Sequence, residues 1–469
     1  MLGKVFKAYD IRGTYPDPLT DQMAWQIGFG VSKFLISSAA SAGQTSPMMK
    51  NIVVGRDMRR SSPALEKSVI QGINDQGGHV IDVGLVDTPF IYFAINHLDC
   101  AGGVMTTASH NPPQYNGFKV SSRKAKPVGE ATGLAEVRKH AAMVDRATMT
   151  PSHGRVEQRD LWDAYIKHVR QFVDLAGKKI KVVIDASNGM AGTMVPKVFG
   201  AGGKNVPGLT IIEINFDNSK GEFVHEPNPL VASNLASVRE RVVKEKADFG
   251  ICFDGDADRL VVVDEHGAIV GCDQLTAVLA KHFLAQSPGA AVVYDLRSTK
   301  ALPEEVAKAG GVPVRSRVGH VFMKALLAEK QGVFGGELSG HFYFRDNFYA
   351  DSGAIAMATV LTVLAHSGKK MSQLVQPMRR YAQSGEVNFQ IEDKDGALAK
   401  LKETFAGAGA MDELDGVTID CFEKQGWWCN VRKSNTEPLL RLNLEARDGA
   451  TLDRMMQKIA PMLGQKVDH

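Results

Sequence analysis

Cysteine is scarce in this chain of 469 residues, and what there is lies scattered. Cys100, Cys252, Cys272, Cys421 and Cys429 are odd in number and form no CxxC pair. That excludes a disulfide framework and a thiolate metal knuckle, and it leads to the expectation of reduced cysteines in a cytoplasmic protein. No apolar run approaches the length of a membrane span, so no membrane partner is expected. Met1-Leu2-Gly3-Lys4 leads directly into patterned sequence rather than into a signal segment. The formal net charge is only +3, which leaves no electrostatic footprint for nucleic acid.

What is present is the composition of a globular protein, 44% hydrophobic and 23% charged. The length is too great for one core, so several domains are expected. A pattern recurs three times. Strand-like segments at 51–57, 79–84 and 101–105 are echoed at 181–185, 209–214 and 247–253, and again at 291–295, 312–315 and 332–334. Helix-like stretches such as 63–76 and 298–309 separate the first two segments of a copy. Short apolar strands alternating with helices imply parallel sheets covered by helices, repeated as three similar α/β units. The tail differs: strands at 386–391, 417–422 and 440–444 with helices at about 395–406 and 450–463 predict a smaller α+β domain. The Ser/Ala/Gly-rich stretch 37–50 reads as a mobile surface insertion.

Each α/β unit ends its third strand in a loop rich in chemistry, where ligand sites of such sheets form. In Thr106-Thr107-Ala108-Ser109-His110-Asn111-Pro112-Pro113 the prolines block the helix or ladder that would hide Ser109. Ser109 is a candidate nucleophile; the alternative is a turn residue bonding its own backbone. Lys119 is near enough in sequence to fold back on this loop and steady phosphate charge or move a proton. Asp254, Asp256 and Asp258 alternate after a strand, so three carboxylates can converge on one hard cation. Without a cation they would repel, and Mg2+ suits a site with so few protein oxygens. An EF-hand loop would place Glu265 at its twelfth position, but Arg259 stands where that loop requires glycine. In the third loop, Glu337 and Ser339 between paired glycines suit vicinal sugar hydroxyls. His341, like His320, is either a site residue or a core histidine. Finally Arg432, Ser434, Asn435 and Thr436 gather the donors a phosphate dianion needs, with a polar hairpin turn as the alternative.

These four segments, in this order, resemble the α-D-phosphohexomutase superfamily, and within it the bacterial phosphomannomutase/phosphoglucomutase group. The resemblance runs from Tyr9-Asp10-Ile11-Arg12-Gly13 to the Ser-Asn-Thr-Glu-Pro loop. It implies three similar mixed α/β domains and a smaller C-terminal α+β domain around a central cleft, bounded here at 1–157, 158–268, 269–380 and 381–469. It further implies a phosphoserine at Ser109 and Mg2+ on Ser109, Asp254, Asp256 and Asp258. Glu337 and Ser339 would hold sugar hydroxyls, and Arg432, Ser434, Asn435 and Thr436 the substrate phosphate. Tyr9, Arg12, Lys119, Arg259, His320 and His341 match further active-site positions, Lys119 and His341 as proton carriers. Arg297 stands at a hinge where some relatives carry lysine. The implied reaction interconverts hexose 1- and 6-phosphates, mannose or glucose, through a 1,6-bisphosphate. Phosphoglucosamine mutases typically have Gly in place of Asn435 and Gln in place of Leu338. A metal-dependent phosphatase would need no Glu337 loop. A monomer acting on small hexose phosphates is expected.

Overall fold

The computed structural model describes residues 2–200, 205–434 and 439–467. The chain divides into two compact units, Met1–Val270 with Ser339–Ser372, and Gly271–Leu338 with Gln373–His469.

The first unit holds two sheets built to one plan. In the first sheet, Asn51–Arg56 lies between His79–Leu85 and Gly102–Thr106, parallel to both, and Tyr115–Ser122 returns antiparallel to the last. In the second, Ile180–Asp185 lies between parallel Leu209–Ile214 and Phe249–Phe253, and Leu260–Asp264 returns antiparallel. The second unit repeats the start of the plan, with Ala291–Asp295 between parallel Val312–Ser316 and Phe334–Gly336. The three central strands are buried on both faces, which is why they read as unbroken apolar runs.

The return strands make these sheets mixed, as three mixed α/β domains imply. A short loop reaches only an antiparallel neighbour, because a parallel one demands a crossover. The Ser109 and aspartate loops are such connections, so Ser109 and the three aspartates sit where a buried strand turns back on itself. A correction concerns 37–50. Ser37 to Ser41 close the helix Asp21–Ser41, where alanine's helix preference outweighs the serines; Pro47–Lys50 form a short 3-10 turn.

The C-terminal sheet of the second unit is antiparallel throughout and includes Ala382–Gln390, Val417–Asp420, Trp427–Lys433 and Leu439–Ala446. Trp427, Cys429 and Val431 alternate inward with Leu440, Leu442 and Leu444 onto a core shared with Leu401 and Ile459 of the helices Lys394–Thr404 and Gly449–Leu463. By the two-residue period of a strand, Arg432 and Arg441 fall on the opposite face. Among the described residues no helix is long and apolar enough to cross a membrane.

Candidate active site

In the first unit Ser109 and the aspartate loop meet. Ser109 is buried, has a left-handed backbone (φ 50), and its Oγ donates to Asp254 Oδ2 across 3.1 Å. The Thr107 hydroxyl accepts from its amide at 2.9 Å. His110 Nδ1 lies 3.3 Å from the Ser109 hydroxyl; burial, and then the nearby arginines, hold His110 well below the usual histidine range, so the ring is neutral. The approach depends on Gly255: a Cβ there would stand 2.4 Å from the Ser109 carbonyl oxygen.

Asp254, Asp256 and Asp258 are buried, and one oxygen from each lies within 4.8 Å of the others. Lys119 Nζ bridges Asp256 Oδ2 at 2.7 Å and Asp258 Oδ2 at 2.6 Å. Arg259 Nε reaches Asp254 Oδ2 at 2.9 Å, and the Thr88 hydroxyl donates to Asp256 Oδ2 at 2.6 Å. Burial, then Asp258, pushes Asp254 well above the carboxylate range. For Asp256 burial acts the same way, but Lys119 and Thr88 outweigh it and keep the group ionised. Burial also opposes the charge on Lys119, and Asp256 and Asp258 overcome it, holding the ammonium protonated beyond the ordinary lysine range. Asp256 Oδ1 is buried without a hydrogen-bond partner, an orphaned lone pair of the kind a hard divalent cation satisfies.

Of the other expected residues, His341 joins this group and Arg12 holds the Ser109 loop. His341 Nε2 lies 3.6 Å from Asp258 Oδ1, and its Nδ1 is 2.9 Å from the Ser339 hydroxyl. Arg12 pairs with Asp10 and donates to the Asn111 side chain, on a strand whose partner is the Tyr115–Ser122 return. Tyr9 occupies the half-buried bend just before that strand.

The second unit gathers the remainder. Glu337 is buried and accepts from the Gly319 amide at 2.9 Å, one residue before His320 opens the helix His320–Glu329. Asp295 receives the Leu338 amide at 2.7 Å and pairs with Arg297 at 2.8 Å. Arg297, Arg432 and Arg441 converge on the Glu386 carboxylate at 3.2, 3.0 and 3.0 Å. Burial alone would raise Glu386; the three guanidiniums, Arg297 foremost, hold it below its ordinary value. Arg432 Nε is buried with no hydrogen-bond partner. Ser434 is half-buried and donates its amide to the Leu439 carbonyl at 2.9 Å. Asn435 and Thr436 lie outside the described residues. Sequence reading missed Thr88, Asp295, Glu386 and Arg59; none sits in a composition-rich motif, and only a long-range contact gives each its place.

Known proteins resemble this chain along nearly its whole length. Family models described as phosphoglucomutase/phosphomannomutase match in four consecutive parts: alpha/beta/alpha domain I over residues 3–146, domain II over 163–267, domain III over 272–381, and the C-terminal domain over 386–462. A protein named phosphohexose mutases from Xanthomonas campestris is 38% identical over 467 residues, covering 98% of both chains. The phosphomannomutase of Escherichia coli K12 is 36% identical, covering 95% of this chain and 96% of its own. A crystal structure of a phosphoglucomutase/phosphomannomutase family protein from Burkholderia thailandensis superposes with a TM-score of 0.84 at 30% identity, covering 98% of this chain and 96% of that one.

Proposed function

Because the chain belongs to the phosphoglucomutase/phosphomannomutase family of phosphohexomutase enzymes, we propose that it interconverts hexose 1-phosphate and hexose 6-phosphate, of mannose or glucose, through a phosphoserine at Ser109. The observation that carries the reading is the 3.1 Å contact between the Ser109 hydroxyl and Asp254, inside a cluster of three acids, Lys119 and Arg259. A serine so placed has both carboxylates for a cation and fixed positive charge close by, which is what transfer of a phosphoryl group requires.

In the proposed reaction, phosphoserine 109 gives its phosphoryl group to the free hydroxyl of a bound hexose monophosphate. The Ser–O–P bond breaks as the sugar O–P bond forms, and His341 accepts the hydroxyl proton. The resulting 1,6-bisphosphate, also the activator that restores a dephosphorylated enzyme, turns end for end and returns its other phosphoryl group to Ser109. The proton then passes to the departing sugar oxygen. Lys119, Arg12 and Arg259 carry the charge of the moving group. Mg2+ would be held by Ser109, Asp254, Asp256 and Asp258, where it would draw charge from the transferring oxygens. Glu337 and Ser339 read sugar hydroxyls; Tyr9, Arg297, Arg432, Ser434, Asn435 and Thr436 hold the sugar and its own phosphate, and His320 joins the catalytic group. We also propose domain limits at 157/158, 268/269 and 380/381 and a cytoplasmic monomer. A glucosamine substrate is disfavoured by Leu338 and Asn435.

The test is turnover of mannose 1-phosphate, glucose 1-phosphate and glucosamine 1-phosphate, with and without added 1,6-bisphosphate, in wild type and Ser109→Ala. Intact mass after bisphosphate treatment should rise by one phosphoryl group in wild type alone. Normal turnover in Ser109→Ala would refute the phosphoserine. Phosphate release as fast as isomerisation would point to a phosphatase instead.

A further inference from the structure

Arg59 is a fully buried arginine outside every signature motif, and its hydrogen bonds converge on one loop. Nε meets Asp57 Oδ2 at 3.1 Å. One terminal nitrogen donates to the carbonyls of Pro112 at 2.8 Å and Tyr115 at 3.0 Å; the other donates to those of Ser109 at 2.8 Å and Asn111 at 2.7 Å. A guanidinium has five N–H donors, so none is left over. Four of them grip the backbone that presents the nucleophile.

The anchor behind it is itself held in place. Asp57 Oδ1 accepts from the Arg59 amide at 3.0 Å and from the Ser62 hydroxyl at 2.5 Å, and Ser62 Oγ in turn accepts from Asn116 Nδ2 at 2.9 Å. Asn116 lies in the strand that leaves the Ser109 loop. The Phe223 ring covers the guanidinium at 4.9 Å, and its edge lies 3.1 Å from where a Cβ on Gly255 would stand. Phe223 thus touches the aspartate loop as well.

The cost of this arrangement argues for a purpose. Burial pulls Arg59 below the usual arginine range, against the pull of Asp57. A loop needing only closure would be served by neutral turn bonds. Five directed bonds from a planar fork fix orientation, which a lysine's point charge cannot. The Ser109 carbonyl and the left-handed Ser109 backbone then have one position relative to Asp254.

We propose that Arg59 is a positioning residue that sets the aim of the Ser109 oxygen for phosphoryl transfer. It touches neither phosphate nor sugar and acts through the carbonyls it holds. The proposal rests on the phosphoserine reading above, and its test separates the two. Steady-state kinetics and backbone hydrogen exchange are compared in wild type, Arg59→Lys and Asp57→Asn, the last keeping the guanidinium but loosening its anchor. Arg59→Lys should lower kcat by about 100-fold, the scale of a misaimed reacting group, while KM for hexose phosphate stays near wild type. Exchange should quicken in residues 107–115 and not in the C-terminal sheet. Asp57→Asn should shift both readouts the same way by less, and it decides the matter if Arg59→Lys does not fold. Exchange in 107–115 as slow as in wild type, or KM rising in step with falling kcat, overturns the proposal. Should wild type itself lack mutase turnover, the proposed reaction fails, and the exchange result alone decides what Arg59 holds.

Discussion

Replacing Lys119 with methionine removes one positive charge from a nest of three buried acids while keeping the aliphatic stem. The ammonium sits 2.7 Å from Asp256 and 2.6 Å from Asp258. Breaking one side of a buried pair costs about 3–5 kcal/mol, because the partner charges stay buried and unpaired. Arg259 remains, but its short contact is to Asp254; it stands 3.9 Å from Asp258. Lys119→Met should therefore lose about that much stability in chelator, read as a reduced denaturant midpoint. The sign with pH follows from the raised folded value of Lys119: its contribution is fully present below the ordinary lysine range and lost only as pH rises beyond it. The variant should also bind Mg2+ at least about tenfold more tightly, roughly 1.4 kcal/mol, since the Lys119 charge, held on the same two carboxylates, repels an incoming cation. Calorimetric titration with Mg2+, and unfolding with and without it, measure both. Added Mg2+ should thus restore more stability to the variant than it adds to wild type. Equal Mg2+ affinity in the two proteins, or a variant as stable as wild type in chelator, would refute this account of the cluster.

Other outcomes follow from single contacts. Gly255→Ala should cut turnover by about 100-fold through displacement of the Ser109 loop, with circular dichroism unchanged, since its Cβ would lie 2.4 Å from a backbone oxygen. Asp87, pushed up to about 7 by burial, keeps its proton in the folded state after the unfolded chain has released it. Stability should fall as pH rises from about 4 to 7, and Asp87→Asn should flatten that slope in denaturant titrations. Arg432→Ala should weaken hexose monophosphate binding by about 10-fold or more without changing the weak binding of free hexose, measured by calorimetry.

Much of this was legible in the sequence because the chemistry is local. Asp254, Asp256 and Asp258 follow a strand directly, so their clustering was legible, although it is a tight turn with a left-handed Ala257 (φ 58), not extended alternation, that brings their oxygens together. The three-fold strand pattern was equally plain, since buried central strands leave unbroken apolar runs. The return strands Tyr115–Ser122 and Leu260–Asp264 were not seen as antiparallel partners, because period and composition say nothing of direction. Partners supplied from afar were also invisible. Thr88 reaches Asp256 across 168 positions, and Arg297 meets Glu386 across 89. Arg59 stands two residues beyond a recognised strand, yet only the folded loop shows what its guanidinium grips. The helical close of Ser37–Ser41 was hidden by serines that resemble a linker.

Arg432 and Arg441 are direct partners on adjacent strands, a like-charge pairing that sheets ordinarily avoid, and Glu386 reconciles them. An arriving phosphate dianion would therefore trade places with an anion already seated, not fill a bare basin of positive charge. Exchange of that kind tempers the grip: the incoming group gains only the difference between its bonds and those Glu386 gives up. In the proposed reaction, whose intermediate must let go, swivel and be caught again, a moderated hold on the distal phosphate would keep the second half from being throttled by the first.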